Sequence, residues 1–248
     1  MTDRTILSVA GSDRREFLQG LVSNDMARAD AGIAYAAILT PQGKLIADFF
    51  LIGREDDYLI DVATPVAATL FQRLSMYKLR ADVTITEAPV QVFRGTGEPP
   101  PDGALADPRH PAMGWRLYGE EGGDDGSEWA ALRVAHIVPE TGIELGPETY
   151  LLEAGFERLA GVDFRKGCYV GQEVTARMKH KTELRKGLAR VRVEGAADPE
   201  TPITVDGKTI GTLHTRAGDD AIAYLRFDRA DGEMLAGAAR VTLLEKAV

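Results

Sequence analysis

One cysteine occurs in the 248-residue chain, Cys168, within the run Lys166-Gly167-Cys168-Tyr169-Val170-Gly171-Gln172-Glu173. The thiolate is the reactive and metal-binding form of cysteine, and neighbouring positive charge favours it. Lys166 stands two positions away, next to Arg165. Gly167 and Gly171 allow the backbone to turn sharply or to approach a ligand closely. Gln172 can both donate and accept hydrogen bonds, and Glu173 can accept them. These residues suit an activated thiol, whereas a lone cysteine is also among the most often buried and inert residues. Both readings stay open on the residues alone. A Cys–His hydrolase with His136 or His180 as base is conceivable, but no spacing supports it.

A single cysteine closes no disulfide within the chain and builds no multi-cysteine zinc or iron–sulfur site by itself. The four histidines, His110, His136, His180 and His214, show no His-Glu-x-x-His spacing. A phosphate loop, a Gly-x-Gly-x-x-Gly turn after a strand and a Gly-x-Ser-x-Gly elbow are likewise missing from the sequence.

The formal net charge is -9, which argues against nucleic acid as a partner. The charge is uneven. Residues 165–190 hold eight Lys/Arg, Lys181 among them, and two acids, hence +6, leaving -15 for the remainder. That basic segment is either a solvated face or an anion site beside the thiol. No run of apolar residues is long enough for a membrane span, and the first residues do not resemble a signal peptide. A cytoplasmic protein, free of membrane and monomeric, is expected.

The elements that must position the motif follow from hydrophobic period and turn residues. Thr5–Val9, Tyr35–Thr40, Lys44–Ile52, Tyr58–Val62, Ala81–Glu87 and Val90–Phe93 read as strands, with Pro41-Gln42-Gly43 as a tight turn. Ser12-Asp13 offers a helix N-cap, with Glu16 after it and Gly20 at the end. A helix runs from Pro65 to about Tyr77 with Val66, Leu70, Phe71 and Leu74 on its apolar face. Two more helices are expected at Glu128–His136 and Glu148–Leu159, and residues 119–128 read as an exposed acidic loop. After about Lys186, short strands with an Asp206-Gly207 hairpin turn suggest a small barrel or sandwich. The class is α+β, with a first domain over 1–188 and a β-barrel over 189–248.

The Lys166–Glu173 run resembles the signature of the YgfZ family, bacterial folate-binding proteins related to mitochondrial iron–sulfur assembly factors and, more distantly, to the glycine-cleavage T-protein. Phe17-Leu18-Gln19-Gly20 through Asn24-Asp25, Leu39-Thr40-Pro41-Gln42-Gly43-Lys44 through Asp48-Phe49, Tyr77-Lys78-Leu79-Arg80 and Asp107-Pro108-Arg109 are similar to further segments of that family. The resemblance implies a folate-binding domain of two related α+β halves followed by a β-barrel. It implies tetrahydrofolate or a derivative in a central cavity. It also implies work with iron–sulfur assembly proteins or client enzymes, particularly of four-iron clusters. An accessory factor is expected rather than a turnover enzyme, with Cys168 as functional thiol and Lys166 as its electrostatic partner; the alternative is a folate-dependent aminomethyltransferase.

Carried over on matching residues, Asn24, Asp48 and Tyr77 are candidates for the pterin. Arg80, Arg133 and the basic segment are candidates for the glutamate tail, and Tyr169, Gln172 and Glu173 for contacts from the motif. Arg133 reads equally as a structural ion pair, and Arg109 as a tie between its turn and an acid. The T-protein's paired acids are reduced here to Ala47-Asp48, and its Arg-Leu-Glu pattern to Arg133-Val134-Ala135. Both departures argue against aminomethyl transfer.

Overall fold

In the computed structural model, residues 3–180 and 183–248 are described, so Lys181 lies outside the described residues. The first half is one antiparallel sheet. Strands β1 (Arg4–Ala10), β2 (Ile33–Leu39), β3 (Leu45–Gly53), β4 (Asp57–Ala63) and β5 (Thr84–Glu87) lie in the order β2-β3-β4-β1-β5. Helices α1 (Arg14–Gln19), α2 (Met26–Asp30) and α3 (Thr64–Lys78) accompany it, with Pro65 in the first turn of α3. Alternation along β3 gives each face its own role. Ala47, Phe49 and Leu51 pack with Leu70 and Leu74 of α3. Phe50 and Ile52 face the other way, into a core shared with the second half. Phe71, expected on the apolar face of α3, is exposed at 41%, because the sheet is reached by Ala67, Leu70 and Leu74 instead.

The second half holds β6 (Gln91–Gly95), β7 (Leu105–Ala106), β8 (Trp115–Gly119) and β9 (Gly123–Asp124), ordered β7-β8-β6-β9. Strand β9 falls inside the expected acidic loop and pairs parallel with Phe93 and Arg94 of β6. Helix α4 (Trp129–His136) forms where expected. The expected helix over Glu148–Leu159 does not form; residues 151–160 are a succession of turns. Leu151, Leu152, Phe156 and Leu159 are all buried, and within 151–160 only Glu157 and Arg158 are exposed. Gly155 has φ +75° and Ala160 has φ +52°. Such left-handed residues end a helix rather than continue it.

Helix α5 (Gln172–Lys179) then leads to the barrel. Strands β10 (Lys186–Glu194), β11 (Pro202–Val205), β12 (Lys208–Ala217), β13 (Asp220–Arg226), β14 (Met234–Ala236) and β15 (Ala239–Lys246) close in the order β10-β13-β12-β11-β14-β15. The Asp206-Gly207 turn has positive φ at both residues, as a two-residue hairpin between Val205 and Lys208 requires. Closure removes the sheet edges and encloses a core of Val191, Ile203, Leu213 and Leu225. No helix among the described residues is long and apolar enough to cross a membrane.

Candidate functional site

Cys168 is exposed, on a loop held from three directions. From below, the Lys166 ammonium donates to the carbonyls of Gln19 (2.6 Å) and Val22 (2.5 Å), at the end of α1. Burial pushes this amine down to about 8, against the nearby carboxylates of Asp25 and Asp163. From within, the Gln172 amide oxygen accepts from the backbone N–H of Tyr169 at 3.2 Å, and Tyr169 is buried. From the side, the loop meets the β2–β3 hairpin tip. Gly171, with φ +83°, starts α5 with so little space that a Cβ there would sit 2.5 Å from the Thr40 carbonyl oxygen. Only glycine tolerates both constraints. Reciprocally, a Cβ on Gly43 would sit 2.7 Å from the Cβ of Val174. The two segments whose residues resemble a family signature, 39–44 and 166–173, therefore pack against each other.

Along the loop and α5, Phe164, Arg165, Glu173, Arg177, Lys179 and His180 are exposed. Lys166 is spent on the carbonyls of α1. Arg165 is the exposed cation within the loop itself, and Lys179, at the far end of α5, pairs with Glu157. Among the described residues no group of three His, Cys, Asp or Glu lies close enough together to hold a metal.

A second polar centre lies against the inner face of the first sheet. Arg4, Arg94, Arg109, Arg116 and Arg133 line one cavity with Asp48. Its volume is about 30 Å³. Asp61, fully buried, accepts from Arg4 Nε and Arg116 at 2.6 Å each and from the Tyr118 hydroxyl at 2.8 Å. Burial alone would raise its carboxyl, but Arg4 and Arg116 hold it down to about 2. Asp107 takes a two-pronged contact from Arg109, at 3.0 Å from Nε and 2.8 Å from Nη2. Arg109 thus does tie its turn to an acid, in the paired geometry that a guanidinium favours. Arg133 pairs with Glu144 and, at 3.0 Å, with Glu140. Asp48 accepts from the hydroxyls of Tyr35 (2.9 Å) and Thr141.

The expected site residues separate accordingly. Asp48 and Arg133 share the arginine cavity, while Cys168, Tyr169, Gln172 and Glu173 form the exposed loop and its helix start. Tyr77 packs against the core on the opposite side of the first sheet from Asp48, and Arg80 is exposed beyond α3. Asn24 is buried, with its amide donating to the carbonyls of Tyr35 (2.8 Å) and Ala160 (2.6 Å) and its oxygen accepting from the backbone N–H of Asp25. Arg4, Arg94 and Arg116, which line the cavity, and Asp61, which Arg4 and Arg116 bind, are residues that sequence reasoning missed; a charge in the middle of an otherwise apolar strand, as in β4, was the available signal.

At about 30 Å³ the arginine cavity is too small for the folate implied by the resemblance. Small-molecule pockets run to roughly 300–1,000 Å³, an order of magnitude above this one. The aromatic face a pterin would need is also covered: the guanidiniums of Arg116 and Arg109 lie 4.0 and 4.8 Å from the centre of the Phe50 ring.

Fold and barrel together define a mixed α/β protein of the aminomethyltransferase architecture with an appended closed barrel. The glycine cleavage system aminomethyltransferase T from Bartonella henselae superposes with a TM-score of 0.76, over 99% of this chain and 83% of that one, at 12% identity, a likeness of fold alone. Residues 185–247 match the family model of the CAF17 C-terminal beta-barrel domain.

Relatives by sequence are more specific. The mitochondrial iron-sulfur cluster assembly factors IBA57 of Mus musculus and Homo sapiens are each 30% identical, over 93% of this chain and 78% of the relative. The IBA57 homolog of Mycosarcoma maydis is 32% identical over 79% of this chain and 57% of that protein. The chain belongs to the IBA57 family of iron–sulfur cluster assembly factors. The resemblance to YgfZ proteins thus narrows to the mitochondrial assembly factors. The expectation of a cytoplasmic protein is overturned, since these relatives are mitochondrial proteins.

Proposed function

We propose that the chain is an accessory factor in iron–sulfur cluster assembly that offers Cys168 to a cluster or thiol held by a partner. The carrying observation is the exposed thiol on a loop clamped by Lys166 and Gly171, in a chain whose relatives are iron–sulfur assembly factors. One thiolate cannot complete a cluster's ligand set, so the remaining ligands come from an assembly protein, a client enzyme or a second copy. Cysteine binds iron as its thiolate, and Cys168 is exposed in the loop to do so. The cluster is cargo in this reading, and no step runs through a folate.

Aminomethyl transfer keeps only Asp48 of the acids expected for it. Ala47 faces the α3 side of the sheet, and Ala135 takes the place of the second acid. The test is replacement of the gene by Cys168→Ser and assay of four-iron enzymes, under oxidative stress as well. Activities equal to those with the unaltered gene would sink the proposal.

A further inference from the structure

The segment Tyr77–Arg80, which the sequence sets apart, has no part in either centre described above. Leu79 is 87% exposed there, directly after α3. Its neighbours close a turn, the Ala81 N–H donating to the Lys78 carbonyl at 2.8 Å. With φ +43° and ψ -102°, Leu79 takes the second position of a type II′ turn. Glycine is usual at that position, and a bulky residue there is strained. The strain brings the leucine no burial within the chain. The surface of α3 beside it is uncharged. Its eight exposed residues, Ala68, Phe71, Gln72, Ser75 and Met76 among them, carry no charge, whereas the outer face of a surface helix normally does. Residues 64–81 contain Arg73, Lys78 and Arg80 but no acid, in a chain of net charge -9. None of these three cations forms an ion pair among the described residues. The first acid after them, Asp82, is held down chiefly by hydrogen bonds from Ser12, with Lys78 acting from further off. Asp82 and the adjoining Asp13 mark the edge of the surface.

We infer that Leu79 and the outer face of α3 are the docking surface for an acidic protein. Protein interfaces are enriched in aromatic residues, methionine and arginine, and depleted of aspartate and glutamate. That is the make-up of this surface. Leu79 is its anchor, an apolar side chain that the turn already holds in place before a partner arrives. Arg73, Lys78 and Arg80 select for carboxylates on the partner and steer the encounter. A bilayer fits less well. Gln72 and Ser75 interrupt the apolar residues, so α3 offers no continuous apolar face to lie in a membrane surface. The surface stands apart from the role proposed for Cys168.

The test puts a photoreactive benzoylphenylalanine in place of Leu79 in cells that express the full chain. Irradiation is expected to join it to one acidic protein other than this chain, in Cys168→Ser as well. That protein, purified, should bind the unaltered chain, with salt weakening the complex. Leu79→Gly should raise its Kd about tenfold, and Arg80→Glu at least as much. Changing the partner's carboxylate nearest the cross-link to arginine should restore binding to Arg80→Glu. Glycine takes this turn without strain, so Leu79→Gly should unfold at a Tm no lower than that of the unaltered chain. The inference is overturned by absence of an adduct, by an adduct with a second copy of this chain or with a basic protein, or by a Kd that Leu79→Gly leaves unchanged. A lowered Tm in Leu79→Gly, which makes Leu79 structural, or Leu79-dependent sedimentation with phosphatidylglycerol vesicles overturns it too.

Discussion

The cysteine loop and the arginine cavity use cations in opposite ways. At the loop, Arg165 and the thiol of Cys168 are both exposed, and the buried cation Lys166 is spent on backbone carbonyls. In the cavity, guanidiniums are buried and tied to carboxylates across the two halves: Arg4 and Asp61 come from the first sheet, and Arg116 and Arg109 from the second half. A buried ion pair is poor evidence of net stability, yet removing either partner is strongly destabilising. The cavity therefore joins two halves in one register. The loop holds one side chain out to be met.

That contrast ranks the consequences of substitution. Asp61→Ala strands two buried guanidiniums and should cost about 3–5 kcal/mol in urea unfolding, whereas a loss below about 1 kcal/mol would dissolve the distinction. Lys166→Met removes two charge-assisted hydrogen bonds and should cost about 2–3 kcal/mol, with Cys168 becoming more mobile in exchange measurements. Acid should act through the cavity. The Asp61 carboxyl is held near 2 in the folded protein and lies near 3.8 when unfolded, so its contribution is complete above about pH 3.8 and is lost as the pH falls towards 2. About 2 kcal/mol should disappear over that window in wild type and not in Asp61→Asn. Gly171→Ala forces a side chain into φ +83° against Thr40. It should cost about 1–2 kcal/mol. Cys168→Ser should change stability by less than about 0.5 kcal/mol yet abolish complementation of four-iron enzymes. A large stability loss there would make the thiol structural and erase the comparison.

Much of this was legible beforehand, and the failures have physical causes. Alternation marks β1 to β4 because each strand buries one or both faces, and Asp206-Gly207 marks its hairpin through φ preference alone. The turns at 151–160 read as helical because hydrophobic spacing does not reveal the left-handed backbone at Gly155 and Ala160, nor that Gly155 must approach Ala247. Helix α5 has few apolar residues to mark it; its start depends on Gly171 against the hairpin tip and on the buried Thr175, both tertiary facts. The cysteine run stands out because its residues are contiguous. The arginine cavity does not, since Arg4, Arg94, Arg109, Arg116 and Arg133 meet only after folding.

The Lys166 clamp also orders events in time. Its ammonium reaches carbonyls 147 and 144 positions earlier in the chain. Such distant contacts form only after the entropy of closing a long loop has been overcome. During synthesis, α1 must wait for most of the first domain to emerge before its carbonyls find their ammonium. The Cys168 loop is thus among the last local structures to settle, and a correctly seated thiol reports that both halves have already come together.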